Sequence, residues 1–160
     1  MEYDFEKSQE IDPITQWVTF MLEGEKYGIN VMQVKEVLRN IEIAPVPGAP
    51  DYILGIINLR GNVVTVIDTR KRFALAEREL EEESRIIIIE TDEQVIGLLV
   101  DGIAEVADIP KSEIEITPNV GNDESSRYIL GVHSSNGELL ILVEIERLLT
   151  EDEWADMESF

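Results

Sequence analysis

The chain has 160 residues, with 34 aspartates and glutamates against 13 lysines and arginines, a formal net charge of −21, one histidine and no cysteine. That charge repels phosphate backbones and anionic lipid headgroups, and the missing cysteines exclude disulfides, thiolate nucleophiles and Cys-type zinc sites. The acidic first twelve residues do not read as a signal peptide, and no apolar run approaches a membrane span, so a soluble cytoplasmic protein is expected.

Taken in chain order, residues 1–14 form an acidic arm, expected to be flexible. Trp17 to Leu22 then reads as a strand, with a turn at Gly24 and a return strand from Lys26 to Ile29. Val31 to Val37 reads as a short helical turn. Ala44 to Pro50 carries three prolines and a glycine and suits neither a helix interior nor a central strand. After the turn Arg60-Gly61-Asn62, the β-branched run Val63 to Ile67 predicts a strand, and Thr69 to Phe73 another short helix. Glu77 to Glu83 holds five carboxylates against Arg78 and reads as a solvated linker. The four isoleucines from Ile86 to Ile89 predict a strand buried on both faces. Leu98 to Val100 predicts a strand that turns at Asp101-Gly102. Leu139 to Val143 predicts another after the turn Ser135-Asn136-Gly137. Residues 150–160 form an acidic tail, in which Thr150 and Glu153 have capping-box spacing for a helix reaching Met157.

An internal repeat organises these elements. Tyr52-Ile53-Leu54-Gly55-Ile56 returns 76 residues later as Tyr128-Ile129-Leu130-Gly131-Val132, and Gly61, Ile67 and Asp68 meet Gly137, Val143 and Glu144 at the same offset. Earlier in each half, Tyr27-Gly28 meets Ile96-Gly97 and Val37 meets Val106 at an offset of 69. The segment Asn122 to Arg127 looks like the insertion that separates the two offsets. The expectation is an all-β domain over 15–149 made of two similar units, about 15–75 and 84–149, with room for strands exchanged between them. Each unit is expected to be a small five-stranded, SH3-like barrel packed on the other, because an open sheet would leave exposed edges. Short helices and a C-terminal helix complete that expectation.

Catalytic patterns are missing. Neighbouring carboxylates follow from composition alone, and neither a phosphate-cradling glycine loop nor a G-x-S-x-G elbow is present. His133 reads as a general base or, more plainly, as a satisfied or exposed strand residue. No cofactor and no metal are expected. Two features are odd for a plain barrel. Asn58-Leu59-Arg60-Gly61 puts a cation at a tight turn, either as an exposed turn residue or as a guanidinium offered to a partner. Lys35-Glu36 lies between apolar Val34 and Val37, an arrangement common on surfaces and at interface edges.

At these residues the chain resembles the CheW family, the coupling proteins of bacterial chemotaxis. The carriers are Tyr27 to Val31 with Val34 to Val37, the P-x-x-P-x-Y-I-L-G-I-I-N-L-R-G run from Pro47 to Gly61, and Val64 to Asp68 with Arg70. In the second half they are Ile96 to Ile103 with Val106, and Leu139 to Val143 with Glu146. The resemblance runs from Trp17 to Leu149. It implies two five-stranded SH3-type barrels and a non-catalytic adaptor that binds both the regulatory domain of the histidine kinase CheA and the cytoplasmic tip of methyl-accepting chemotaxis receptors. It further implies recruitment to receptor arrays at the inner face of the membrane, and ring assemblies with CheA or with itself, without nucleic acid, membrane insertion or cofactor. Carried over residue by residue, Glu36 and Val34 match positions of kinase or receptor contact, Gly55 and Arg60 match positions whose change impairs coupling, and Val106 matches a receptor-side position. Val37, an apolar edge, and Asn58, in the turn with Arg60, complete the expected partner-binding residues. The chain has no room for the further domains of CheA or of the receiver-linked adaptor CheV. A scaffold for another chemoreceptor-type kinase pathway is the nearest alternative, and a small-molecule-binding barrel the more distant one.

Overall fold

The computed structural model describes residues 12–39, 41–76, 79–92, 94–116 and 127–158. Most of the acidic arm, the insertion before Arg127 and the terminal Phe160 lie outside the described residues. Among the described residues, ten strands form in chain order. The first five are β1 (Ile14–Leu22), β2 (Glu25–Asn30), β3 (Val34–Leu38), β4 (Ile53–Leu59) and β5 (Asn62–Asp68). The rest are β6 (Arg85–Glu90), β7 (Val95–Val100), β8 (Gly102–Pro110), β9 (Ile129–Ser135) and β10 (Glu138–Val143). Helix α1 (Thr69–Arg72) follows β5, and α2 (Glu151–Glu158) ends the described chain.

The strands make two five-stranded sheets. Sheet 1 has the order β8-β1-β2-β10-β9 and sheet 2 the order β3-β6-β7-β5-β4. Both sheets therefore draw on both halves of the chain. The pairing registers repeat at the sequence offsets: Val37 faces Ile87 as Val106 faces Val18, and Thr65 faces Ile96 as Ile141 faces Tyr27.

Neither sheet closes into a barrel. Among the described residues, no ladder joins β8 to β9 or β3 to β4, which corrects the expectation of SH3-like barrels. Exposed edges were the reason to expect closure, and the chain protects two of them in another way. Ala44 bridges to Ile56 on β4, and Glu115 bridges to Val132 on β9. Both segments pass beside a glycine. A Cβ on Gly131 would stand 2.8 Å from the Glu115 carbonyl oxygen, and one on Gly55 would collide with the carbonyl of Ala44.

Among the described residues, three clusters make the core. The largest lies between the sheets and includes Phe20, Tyr27, Ile87, Ile89, Leu98 and Tyr128. A second covers the other face of sheet 2 with Val64, Val66, Ile86 and Ile88. A smaller third covers the other face of sheet 1 with Trp17, Ile109, Leu140 and Leu142. Strand β6 thus buries Ile87 and Ile89 on one side and Ile86 and Ile88 on the other, as its unbroken apolar run requires. Within the central cluster Phe73 stacks on Tyr128 with ring centroids 4.1 Å apart. Burial there pushes the Tyr128 phenol up to about 12.

Two arginines tie the layers. Arg70 is buried at the start of α1 and forks onto Asp101 after β7, while also pairing with Glu23 in the β1–β2 turn. Arg72 donates two bonds to Glu153 of α2, at 2.7 and 2.8 Å, and a third to the Leu148 carbonyl at 2.9 Å. Trp154 and Met157 of α2 are buried in the central cluster. The helical turn expected over 31–37 is shorter than its spacing suggests: Val31–Gln33 forms a 3-10 turn capped by Asn30, and Val34 onward is strand β3.

Candidate partner-binding site

Strand β3 is an edge strand of sheet 2, and β4 is the opposite edge. Between β4 and β5 the chain reverses in two residues, Arg60 and Gly61, with φ of 51° and 92°. This is the primed hairpin turn that matches strand twist, and it demands left-handed backbone at both positions. The Asn58 side-chain oxygen accepts from the Gly61 amide at 2.8 Å and braces the turn.

The Arg60 guanidinium reaches back across the open side of the sheet to Glu36 on β3. One nitrogen donates to Oε1 at 3.2 Å and the other to Oε2. The two edges of sheet 2 are therefore joined by side chains where no backbone ladder joins them. The bond to Arg60 holds the Glu36 carboxyl below the usual carboxylate range, and the same bond raises Arg60. Arg60 is exposed and Glu36 is only half-buried, so water screens the pair and it adds little to folding stability. Its fixed, planar fork instead offers a preformed charged feature to whatever covers it.

Around this pair Val34 and Glu36 are half-buried, while Val37 is 41% exposed and Asn58 is exposed. Gly55 is different. It is buried beneath the Ala44 segment, so a change there acts through the fold rather than through lost contact. Val106 is 53% exposed, yet it stands on β8, the edge of sheet 1, at the place Val37 holds on sheet 2. The structure thus joins Glu36, Arg60 and Asn58, sets Val34 and Val37 on the same strand as Glu36, and places Val106 apart from them.

Met32 and Val63 are among the exposed apolar residues that were not foreseen. Met32 is 87% exposed in the 3-10 turn that leads into β3, and Val63 is 64% exposed directly opposite Asn58 in the β4–β5 register. Val63 and Val64 are successive residues of β5 and face opposite sides of the sheet, Val64 into the second core cluster, and the run Val63-Val64 carries no signal of which one is covered.

The groups considered for catalysis do not converge at this site. His133 lies on β9 with Nε2 3.1 Å from Glu113. A cavity of about 550 Å³ forms elsewhere, where Glu79, Glu81 and Glu83 face Asp101 and Arg85. Among the described residues no cluster of His, Asp and Glu has metal-holding geometry, and no helix is long and apolar enough to cross a membrane.

Comparison with known proteins agrees with this architecture. The family described as "CheW-like domain" matches residues 16–153. The chain is similar to the chemotaxis protein CheW of Bacillus subtilis, at 36% identity over 143 residues, covering 89% of this chain and 92% of that protein. It is also similar to that of Treponema pallidum, at 34% identity, covering 86% and 84%. Among solved structures it resembles the scaffolding protein TtCheW from Thermoanaerobacter tengcongensis, with a TM-score of 0.75 at 36% identity, covering 82% of this chain and 89% of that one.

Proposed function

The chain belongs to the CheW family of non-catalytic scaffolds, and from that premise we propose that it couples methyl-accepting chemotaxis receptors to the histidine kinase CheA by binding both. Its work is binding energy and geometry, with no bond made or broken. Apolar side chains supply buried area while charged groups fix register and partner choice. The observation that carries this reading to particular residues is the Arg60–Glu36 fork across the edges of sheet 2, on a sheet that also exposes Val37 on β3 and Val63 on β5, with Met32 exposed in the turn before β3.

On this reading the kinase's regulatory domain covers the sheet 2 rim, and the receptor tip meets the side that carries Val106. Two separate faces on one chain allow head-to-tail assembly into rings with CheA, or with further copies of itself. Binding to receptor tips would gather the protein at the inner face of the membrane without inserting it.

Calorimetric titration with the isolated regulatory domain of the same organism's CheA tests the assignment. The wild type should bind with micromolar or tighter affinity. Glu36→Lys and Arg60→Ala should each weaken binding about 30-fold or more while melting normally, since a charged pair covered by a partner is worth far more than one in water. Gly55→Ala should lower the melting temperature together with the affinity, which marks a fold defect. Full affinity in both charge variants would remove this pair from the interface. No binding by the wild type at any salt concentration would point to another kinase.

A further inference from the structure

The two sheets correspond strand for strand, yet their outer faces are not equally filled. On sheet 2, Leu38, Ile57, Leu59 and Val95 join the second core cluster, and Arg60 closes the edge by reaching Glu36. At the offsets of 69 and 76, the corresponding residues on sheet 1 are Ala107, His133, Ser135 and Lys26. Smaller and polar side chains replace the four apolar ones. A cavity of about 300 Å³ opens at that place, floored by Ala107, Ile109 and Leu140.

The charged rim has diverged in the same way. Glu105 stands where Glu36 stands on sheet 2. The residue at the place of Arg60 is Asn136, which has the same φ of 51° but neither the length nor the charge to cross. Glu105 accepts instead from Lys26 through Oε1 at 3.0 Å, and Lys26 lies 3.6 Å from Glu138. A carboxylate has lone pairs for more than one donor. With Asp108, three carboxylates line the cavity against one ammonium.

We propose that this cavity on sheet 1 receives an arginine side chain from a partner protein, its stem on Ala107, Ile109 and Leu140 and its guanidinium on Glu105 with Asp108 and Glu138 at the rim. The chain itself supplies the template: on sheet 2 an arginine in the equivalent turn already meets the equivalent acid. Guanidinium suits the place better than ammonium, because its planar fork can address two carboxylates while its stem lies on apolar surface. The inference concerns sheet 1, whose strand β8 also carries Val106, and its test does not depend on the scaffold reading.

The test is a backbone-amide NMR titration of the full chain with N-acetyl-arginine amide, and with the citrulline analogue, which has the same shape without the charge. Saturable shifts should gather at Ala107, Asp108, His133, Ser135 and Leu139. The citrulline analogue should bind about 10-fold or more weakly, the usual cost of losing charge-assisted hydrogen bonds. Asn136→Arg should abolish the response by filling the cavity from within. Arg60 shows that arginine is accepted in this turn conformation, so the variant should fold. Glu105→Gln should weaken the response by a similar factor without filling anything. An equal response to citrulline, shifts scattered over other acidic surface, or an undiminished response in Asn136→Arg would each overturn the proposal.

Discussion

Arg60 occupies left-handed backbone, which costs a residue with a Cβ roughly 1–2 kcal/mol. The matching turn in the second half uses Asn136, a residue far better suited to that conformation. The first half therefore carries strain at the one position where its guanidinium can reach Glu36, and such strain is tolerated where a side chain has work to do. A second local cost has no such return. Thr69 is fully buried at the start of α1, and its hydroxyl has no hydrogen-bond partner. The corresponding residue in the second half is Ile145, also fully buried. Thr69→Val should therefore stabilise the protein by about 1–2 kcal/mol, read as a higher denaturant midpoint at unchanged slope. A lower midpoint would mean that the hydroxyl is satisfied in solution. At this scale the sequence was half legible. Arg60 stood out as a cation at a tight turn, but nothing marked Glu36, 24 residues away, as its partner. That pairing exists only once the two edges of sheet 2 approach each other.

Helix α2 is held by its capping box and by Arg72. The Thr150 amide donates to Glu153 at 2.8 Å, and the Glu153 amide donates back to the Thr150 hydroxyl at 3.1 Å. Burial alone would raise the Glu153 carboxyl, but the Arg72 guanidinium and the Thr150 amide outweigh it and hold the group below its ordinary value of 4.5. A depressed carboxyl contributes stability that is complete above its unfolded pKa and disappears as pH falls through the folded one. Glu153→Gln should therefore cost about 1 kcal/mol at neutral pH, the value for a charge-assisted bond discounted for partial exposure. That difference should shrink as pH falls below 4.5, with Trp154 fluorescence reporting release of the helix. A cost that stays constant in acid would assign the effect to packing. This helix was readable because its cap lies within four residues. Strands β3 and β8 were not. In β3 burial alternates, but Glu36 takes a half-buried position and Val37 an exposed one, so the apolar pattern does not follow it. Strand β8 carries a register shift opposite Val18–Phe20 that breaks the alternation of a half-buried strand.

Over the whole molecule, 34 carboxylates and a net charge of −21 set long-range repulsion against a few tightly paired clusters. Going from about 10 mM to about 150 mM salt shortens the Debye length from roughly 30 to 8 Å, which screens the repulsion far more than the buried Arg70–Asp101 pair. The melting temperature should rise over that range, and a fall would mean that the ion pairs dominate. The internal repeat was plain in the glycines and apolar runs, whereas the open sheets were not. Edge protection by single bridges at Ala44 and Glu115 leaves no pattern in a proline-rich or acidic segment. The mixing of the two halves in both sheets has a practical consequence for anyone who divides the chain. A cut between α1 and β6 would leave the first fragment with two strands of sheet 1 and three of sheet 2, and the second with the complement. Neither fragment owns a whole sheet or a whole core, so the two would be obligate complements. Fused to separate proteins, they would regain structure only when their carriers meet.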